Sequence, residues 1–389
     1  MPPYREVLDA RKGRCAVASV ALHAGSRVLR TSSVCAVSFA SCGWCFASQV
    51  ALQRCTGCRK ARYCSRKCQQ HDWSQHRREC RAWNSIPAAN TSPTLLLVSR
   101  LAFKLFVGSE GDQEEKNRVL KLRHHLEDHT ELKRQQFNAM TQLVLLLLSR
   151  YKGDKQEQIP SFEKLQNDLE AKILKLFGRV NCNAFSIAND VTNEAVGIGL
   201  FPEGALFNHD CDPNCVVSFK GREMKVHVVK NVEVGQELTV SYIELLQSTK
   251  KRRMELKDSY FFDCQCTCCL AAMKEETTND WYLDGLECSN KECLDGVVVL
   301  DDVDHADKWK MYQQMWEIAM DKLNLHPRNA RVAVMAREIG NFLLNATSVE
   351  LQHQALRFCL GELHAWSGYY RRQNFRLEVC CISRLDTLV

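Results

Sequence analysis

Between residues 42 and 80 the chain carries seven cysteines and a histidine in a spacing that strongly constrains its fold: Cys42-x2-Cys45, nine residues, Cys55-x2-Cys58, five residues, Cys64-x3-Cys68, seven residues, His76-x3-Cys80. Thiolates and imidazole at such short intervals suit a tetrahedral soft-ligand ion, and eight of them suffice for two zinc sites. Buried free cysteines would not account for the spacing. His76 and Cys80 stand four apart, so on a helix both side chains share one face, and Cys64 and Cys68 have the same interval. A segment this small cannot bury enough apolar area by itself, so metal would supply its folding energy. Of the 21 cysteines in 389 residues, four more fall between Cys264 and Cys269. Residues Pro2 to Arg14 are charged and lack an apolar core, so a secretory signal is not expected and reduced thiols are favoured over disulfides.

The charge balance points the same way. The formal net charge is +6. Segment 42–80 holds eight Lys and Arg against Asp72 and Glu79, which is the whole excess. Seven thiolates with two dications remove three of those charges. A solvated surface around a metal module is therefore favoured over a nucleic-acid footprint. Aromatic residues are sparse there (Trp44, Phe46, Tyr63, Trp73), so a base-stacking platform is not indicated. The longest apolar run, Leu143 to Leu148, is far short of the roughly 20 residues that span a bilayer. At 45% hydrophobic and 25% charged residues, wholesale disorder and rod-like repeats are excluded.

Along the chain no repeat of 20 to 50 residues is visible. Residues 1–41 read as short strands, with Arg27-Val-Leu and Val34 to Phe39 apolar and β-branched. Residues 81–93, rich in Asn, Ser and Pro, read as a linker. From Leu95 to about Val180 apolar residues recur at helical spacing, including Leu101, Leu105, Leu143, Leu147, Ile173 and Leu176. After Asn181 the texture returns to β: Lys225-Val-His-Val-Val-Lys-Asn and Glu237-Leu-Thr-Val-Ser-Tyr-Ile alternate, with Gly235 as the turn between them. Residues 245–260 read as a charged helix, and 303 to 370 as helical again. Lys250-Lys-Arg-Arg253 reads as a nuclear import signal or, with more weight, as a solvated helix face. The order implies one β domain carrying insertions rather than a row of independent domains.

Three further stretches matter together. They are Leu206-Phe-Asn-His-Asp-Cys-Asp-Pro-Asn-Cys215, Gly235-Gln-Glu-Leu-Thr-Val-Ser-Tyr-Ile-Glu244 and Tyr260-Phe-Phe-Asp-Cys-Gln-Cys-Thr-Cys-Cys269. Singly each has a bland reading, since an Asn-His in a loop is commonly a turn and a Tyr closing a strand is commonly core. In order they resemble the SET domain of protein lysine methyltransferases, and the 42–80 run resembles a MYND zinc finger. The chain is thus similar to the SET-and-MYND family over residues 1–270. Asn208, His209 and Cys211 match its NHxC signature, Gly235 to Tyr242 the second signature, and Cys264, Cys266 and Cys269 the post-SET CxCx2C.

The resemblance implies an α+β fold: small SET β-sheets in which segments 208–215 and 237–244 cross as a pseudoknot. It divides the chain into an N-terminal part of SET (1–41), the MYND finger (42–80), a linker and helical insert (81–180), core SET (181–249), a post-SET cluster (250–270) and a short helical C-terminal region (271–389). It implies three zinc sites: Cys42, Cys45, Cys64 and Cys68; Cys55, Cys58, His76 and Cys80; and Cys211, Cys264, Cys266 and Cys269. It implies S-adenosylmethionine as cofactor, contacted by Lys12, Gly13, Arg14, His129, Asn183, Asn208, His209, Tyr242, Tyr260 and Phe262, with Phe262 stacked on adenine. Tyr242 and Tyr260 are the implied catalytic pair, and Phe185 a wall of the lysine channel. The implied activity is methyl transfer to lysines of histone or non-histone proteins. The finger would recruit proline-containing peptides. A monomer without membrane or direct nucleic-acid contacts, in nucleus and cytoplasm, completes the expectation.

Two departures from the family pattern stand out. Where the family has GxG, this chain reads Lys12-Gly-Arg-Cys15. If the second glycine position needs a positive φ, Cys15 carries a strain of about 1–3 kcal/mol. Only about 120 residues follow the post-SET cysteines, fewer than the family usually carries. Both favour a rival expectation: a catalytically weak scaffold or transcriptional co-regulator that recruits partners through its finger.

Overall fold

The computed structural model describes residues 2–48, 50–84, 92–107, 113–150, 162–189, 194–274, 285–287, 297–299, 310, 313–314 and 317. The chain divides into two units, Met1–Asp280 and Trp281–Val389.

The first unit opens with β1 (Tyr4–Asp9) and β2 (Gly13–Ala18), an antiparallel hairpin. Its turn is written in the sequence. The Asp9 carboxylate accepts the backbone N–H groups of Arg11 and Lys12, both at 2.8 Å, and Gly13 takes a φ of +80° that a side chain would resist. Next come β3 (Arg27–Ser32), β4 (Cys35–Ser38) and the short pair β5 (Gln53–Arg54) and β6 (Arg62–Tyr63). Helix α1 covers Arg66–Asn84, α2 Pro93–Phe106, α3 Gln113–Leu120, α4 Glu131–Ser149 and α5 Phe162–Asn183. Ser92 caps α2 through the N–H of Leu95, with Pro93 in the first turn, and Thr130 caps α4 through Lys133.

The chain then returns to strands: β7 (Ala184–Ala188), β8 (Ala195–Leu200), β9 (Asn208–His209), β10 (Cys215–Lys220), β11 (Glu223–Val228) and β12 (Thr239–Val240). Helices α6 (Thr249–Tyr260) and α7 (Thr267–Lys274) follow. The sheets are small, ordered β10-β11-β3, β4-β8-β7 and the parallel pair β9-β12. In β11 the alternation is plain, with Met224, Val226 and Val228 buried and the residues between them only partly so. The turn at Gly235 (φ +86°) returns the chain so that Leu238 bonds Ala16.

Two apolar cores result. One lies among the small sheets, with Ala16, Phe201, Phe207, Met224, Val226 and Val240. The other joins the helices to the finger: Leu97, Leu101, Phe137, Leu148 and Phe177 belong to the same buried cluster as Cys42, Cys55, Cys80 and Trp83. The finger is therefore packed onto the body of the unit.

Several sequence expectations change. Helix α1 continues to Asn84 with Ala82 and Trp83 buried, and α2 begins at Pro93, so only 85–91 of the expected linker 81–93 lies outside the described residues. Burial of Trp83 against α2, its indole N–H on Ser99 Oγ at 3.2 Å, extends the helix past the expected end. Helix α5 runs to Asn183, two residues beyond the expected switch to strand. Cys68 lies in α1, whereas Cys64 precedes it. Only Thr239–Val240 of the alternating 237–243 segment is strand: Glu237 and Leu238 meet β2 in a single isolated bridge instead, and the Tyr242 N–H is taken by His209 Nδ1. Helix α7 crosses the expected boundary at 270.

In the second unit β13 (Gly285–Glu287) and β14 (Val297–Val299) pair antiparallel inside the region expected to be helical. The expected helices from 303 onward lie almost wholly outside the described residues, as do Cys288 and Cys293. No described helix is long and apolar enough to cross a membrane.

Candidate active site and metal centres

Twelve side chains gather into three tight groups: Cys42, Cys45, Cys64 and Cys68; Cys55, Cys58, His76 and Cys80; Cys211, Cys264, Cys266 and Cys269. Within each group all ligand atoms lie within 4.8 Å of one another. Zinc–sulfur bonds of about 2.3 Å make a tetrahedron with edges of about 3.8 Å. The neighbouring sulfurs fit that edge. Cys45 and Cys64 are 3.6 Å apart, Cys64 and Cys68 3.5 Å, Cys55 and Cys80 3.7 Å, Cys211 and Cys269 3.6 Å, Cys211 and Cys264 4.0 Å. Crowded thiols oppose one another's ionisation: Cys264 and Cys266 push the Cys211 thiol up, and Cys58 does the same to Cys80. A dication at the centre is the compensation such a donor set calls for. Cys268 stays outside the third group.

The third group is tied to the NHxC segment by His209. The ring is buried, which lowers its pKa to about 4 and keeps it neutral. Its Nδ1 accepts the backbone N–H of Tyr242 at 3.1 Å, so the proton sits on Nε2, which points at Cys211 Sγ 3.3 Å away. Parallel pairing of β9 with β12 sets this geometry, Asn208 beside Thr239 and His209 beside Val240. Asn214 stitches the two segments together, its amide N–H on Glu237 O at 2.8 Å and its Oδ1 under the Thr239 N–H at 2.9 Å.

Around this pairing lies the aromatic group. The rings of Tyr242 and Tyr260 are 4.9 Å apart, His209 and Tyr242 5.6 Å, His209 and Phe262 6.3 Å. The Tyr242 hydroxyl donates to Phe207 O at 3.0 Å, and the Tyr260 hydroxyl to Tyr242 O at 3.2 Å. Burial, then Tyr260 nearby, push the Tyr242 hydroxyl well above the ordinary phenol range. Both hydroxyls are thus neutral, with their proton spent on a backbone carbonyl, and each presents oxygen lone pairs to its other side.

The N-terminal hairpin closes on Asn208. Its Nδ2 lies 2.9 Å from Glu237 Oε1, 3.2 Å from Arg14 O and 3.2 Å from Cys15 Sγ, three acceptors for two protons. Lys12 Nζ bonds the second Glu237 oxygen, and Arg14 lies 3.8 Å from Glu6. These pairs are partly exposed and cost little to exchange. The side chain of Asn183 donates to the carbonyls of Arg123 (2.9 Å) and Arg179 (2.8 Å).

The 42–80 segment matches the family model of the MYND finger over that whole span. Over 274 residues the chain is 31% identical to histone-lysine N-methyltransferase SMYD3 of Homo sapiens, covering 70% of this chain and 61% of that protein. It is 35% identical over 236 residues to N-lysine methyltransferase SMYD2 of Gallus gallus, covering 60% of this chain and 51% of that one. The chain is similar to these SMYD proteins over most of its length and carries the MYND finger. It spans about half to three-fifths of the length of the relatives it matches. Against solved structures the likeness is low: the SET domain of LSMT gives a TM-score of 0.37 at 17% identity, over 68% of this chain and 53% of that chain.

The hairpin shows one residue in a different light from the sequence expectation. Cys15 lies within β2, opposite Val7, and is not among the residues with positive φ, so the expected backbone strain is absent. Its thiol is buried, which with Glu237 beside it raises its pKa to about 11. Gly13, not position 15, is the residue of this hairpin that needs the left-handed region.

His129 stands edge-on to Phe137 (5.1 Å) and Phe261 (4.6 Å), and its buried Nε2 finds no partner among the described residues. An orphaned nitrogen next to the chain segment bearing Phe262 suits a hydrogen-bonding ligand. Phe185, on β7, packs with Tyr242 against the sheet core and meets Phe201 edge-on at 6.0 Å.

Sequence reasoning missed Glu237 and Asn214. Both stand inside motifs quoted for other residues, and a carboxylate two residues before a strand start was the available signal.

Proposed function

We propose that the chain is an S-adenosylmethionine-dependent protein lysine N-methyltransferase. The observation that carries this reading is the convergence on His209. One face of the pairing bears Asn208 and the hairpin loop 12–15, and the other bears Tyr242, Tyr260 and Phe262. The names of the relatives, a histone-lysine and an N-lysine methyltransferase, support it.

S-adenosylmethionine, when bound, supplies a sulfonium-activated methyl group. Asn208, Lys12, Arg14 and the exposed edge of Gly13 are the residues that would hold its amino-acid end. Phe262, His209, Asn183 and the orphaned Nε2 of His129 would hold its nucleoside. The two tyrosine oxygens accept hydrogen bonds and carry no charge, so they can orient a neutral lysine amine without stabilising its ammonium form. That matters because removing the proton from lysine at pH 7 costs about 4.6 kcal/mol. A dry wall of Phe185 and the two tyrosine rings lowers the cost by disfavouring the charged form. Fixing the amine in line is the protein's main contribution.

The three ligand groups fit zinc, and three zinc ions belong to the same reading. So do protein substrates, proline-containing peptides on the finger, a monomeric state without membrane or nucleic-acid binding, and a nuclear and cytoplasmic location. The scaffold alternative drew on strain at Cys15, which the backbone does not show. Incubation with labelled S-adenosylmethionine and protein pools should place label on lysine. A zinc-loaded chain that transfers no label to any pool would count against the reading.

A further inference from the structure

Helix α1 carries two carboxylates into the interior. Asp72 and Glu79 are 1% and 0% exposed, and buried carboxylates are costly unless compensated. The compensation comes from outside the finger. Arg100, on α2 and itself buried, places Nε 2.9 and 3.2 Å from the two oxygens of Glu79, adds a bond from Nη2, and sends Nη1 to the Ala36 carbonyl of β4 at 2.7 Å. Arg222, in the turn between β10 and β11, reaches Asp72 at 3.3 Å and Gln75 at 3.3 Å. Tyr63 donates to Asp72 at 2.7 Å. Two anions on the finger thus meet two cations of the body.

Glu79 has a second neighbour. Its Oε1 lies 3.3 Å from His76 Nδ1, while His76 Nε2 lies 3.5 Å from Cys58 Sγ, inside the second ligand group. An ionised carboxylate only accepts hydrogen bonds. Nδ1 therefore carries the proton, and Nε2 turns its lone pair toward the three sulfurs. A carboxylate behind a ligating histidine is an arrangement that fixes the ring and strengthens the ligand.

We propose that Glu79 is a positioning residue for the second metal site of the finger, and that Arg100 joins that site to strand β4. Loading of Cys55, Cys58, His76 and Cys80 and ordering of the SET core are then one event. The inference rests on the reading of these four residues as a zinc site. It gives the finger a second task beside recruitment: the ion holds a helix whose buried charges are completed by the SET body.

The test uses the full chain, with zinc counted by mass spectrometry and its release followed against a competing chelator. Glu79→Gln should weaken one of three ions by about 10- to 100-fold and leave two unchanged. With His76→Cys, which has no Nδ1 to orient, Glu79→Gln should leave affinity within about twofold. Should Glu79→Gln alone fail to fold, the pair Glu79→Gln with Arg100→Met removes both charges and supports the same measurement. In the wild type, stripping the second ion should speed hydrogen exchange at Cys35 to Ser38, and in the double variant exchange there should not respond to the chelator. A wild-type chain without zinc would overturn the metal reading itself. Three ions with unaltered release in Glu79→Gln, or an equal loss in the His76→Cys background, would overturn the inference alone.

Discussion

Tyr242 is held from both ends: its backbone N–H is bound to His209 Nδ1 and its hydroxyl to Phe207 O. Tyr242→Phe removes a single oxygen acceptor from the proposed lysine channel. Turnover should fall by about 100-fold, the size of effect that loss of orientation produces, with affinity for S-adenosylhomocysteine little changed. Because burial pushes the Tyr242 pKa above its ordinary value, the pH–rate profile between pH 6 and 10 should keep its shape in whatever residual activity the variant has. A profile that flattens would assign Tyr242 a proton-transfer role instead. Cys15→Gly tests the hairpin loop. With an ordinary backbone and a buried thiol at that position, glycine should lower stability by about 0.5–1 kcal/mol, read as a drop in the urea midpoint. A rise would show that β2 is strained after all. At this scale the eight donors of 42–80 were legible, because their spacing is a local property of the chain; their division into two groups, and the joining of Cys211 to Cys264, Cys266 and Cys269, came from the resemblance. Glu237 and Arg100 were not legible, since their partners lie far away in sequence. A lone arginine in the apolar run from Leu95 to Phe106 was the one hint that α2 delivers a buried cation.

Among the elements, the parallel pair β9-β12 is too short to persist on its own two residues per strand. Asn214 supplies what the ladder lacks, binding both Glu237 O and the Thr239 N–H from a buried position. Asn214→Ala would leave those two backbone groups without partners at about 1–3 kcal/mol each. Denaturant unfolding should therefore show a loss of about 2–5 kcal/mol; a change within 0.5 kcal/mol would mean that the segments are held by other contacts. The strands β11, β3 and β4 were readable from alternation, and α2, α4 and α5 from helical period. Strand β12 was over-extended, because alternation reports which side chains are buried and not whether a neighbouring strand exists to pair with. The linker was placed too early, at 81, because the last turn of α1 is stabilised by Trp83 packing on α2, a tertiary contact invisible in the local Asn-Ser-Pro composition.

For the first unit as a whole, the finger shares an apolar core with the helices and with Val34, Cys35, Val37 and Leu200 of the SET body, and a buried charge network with Arg100 and Arg222. Chelation should therefore melt more than the finger. Removing all zinc should lower the midpoint of thermal unfolding for the SET body as well, seen as loss of β-sheet signal in the same transition. Two separate transitions, with the sheet signal unmoved, would contradict a shared core. The α+β class and the order of pieces were legible through motif order. The degree of fusion was not, because no sequence pattern distinguishes a recruited module from a welded one.

The proposed function requires that hairpin, NHxC segment and the Tyr242–Phe262 aromatics form one pocket for the methyl donor. Calorimetric titration of S-adenosylhomocysteine into the zinc-loaded chain tests it most directly. The structure predicts one-to-one binding in the micromolar range that Asn208→Ala weakens at least tenfold; no heat at high ligand concentration, or binding indifferent to Asn208, would contradict it.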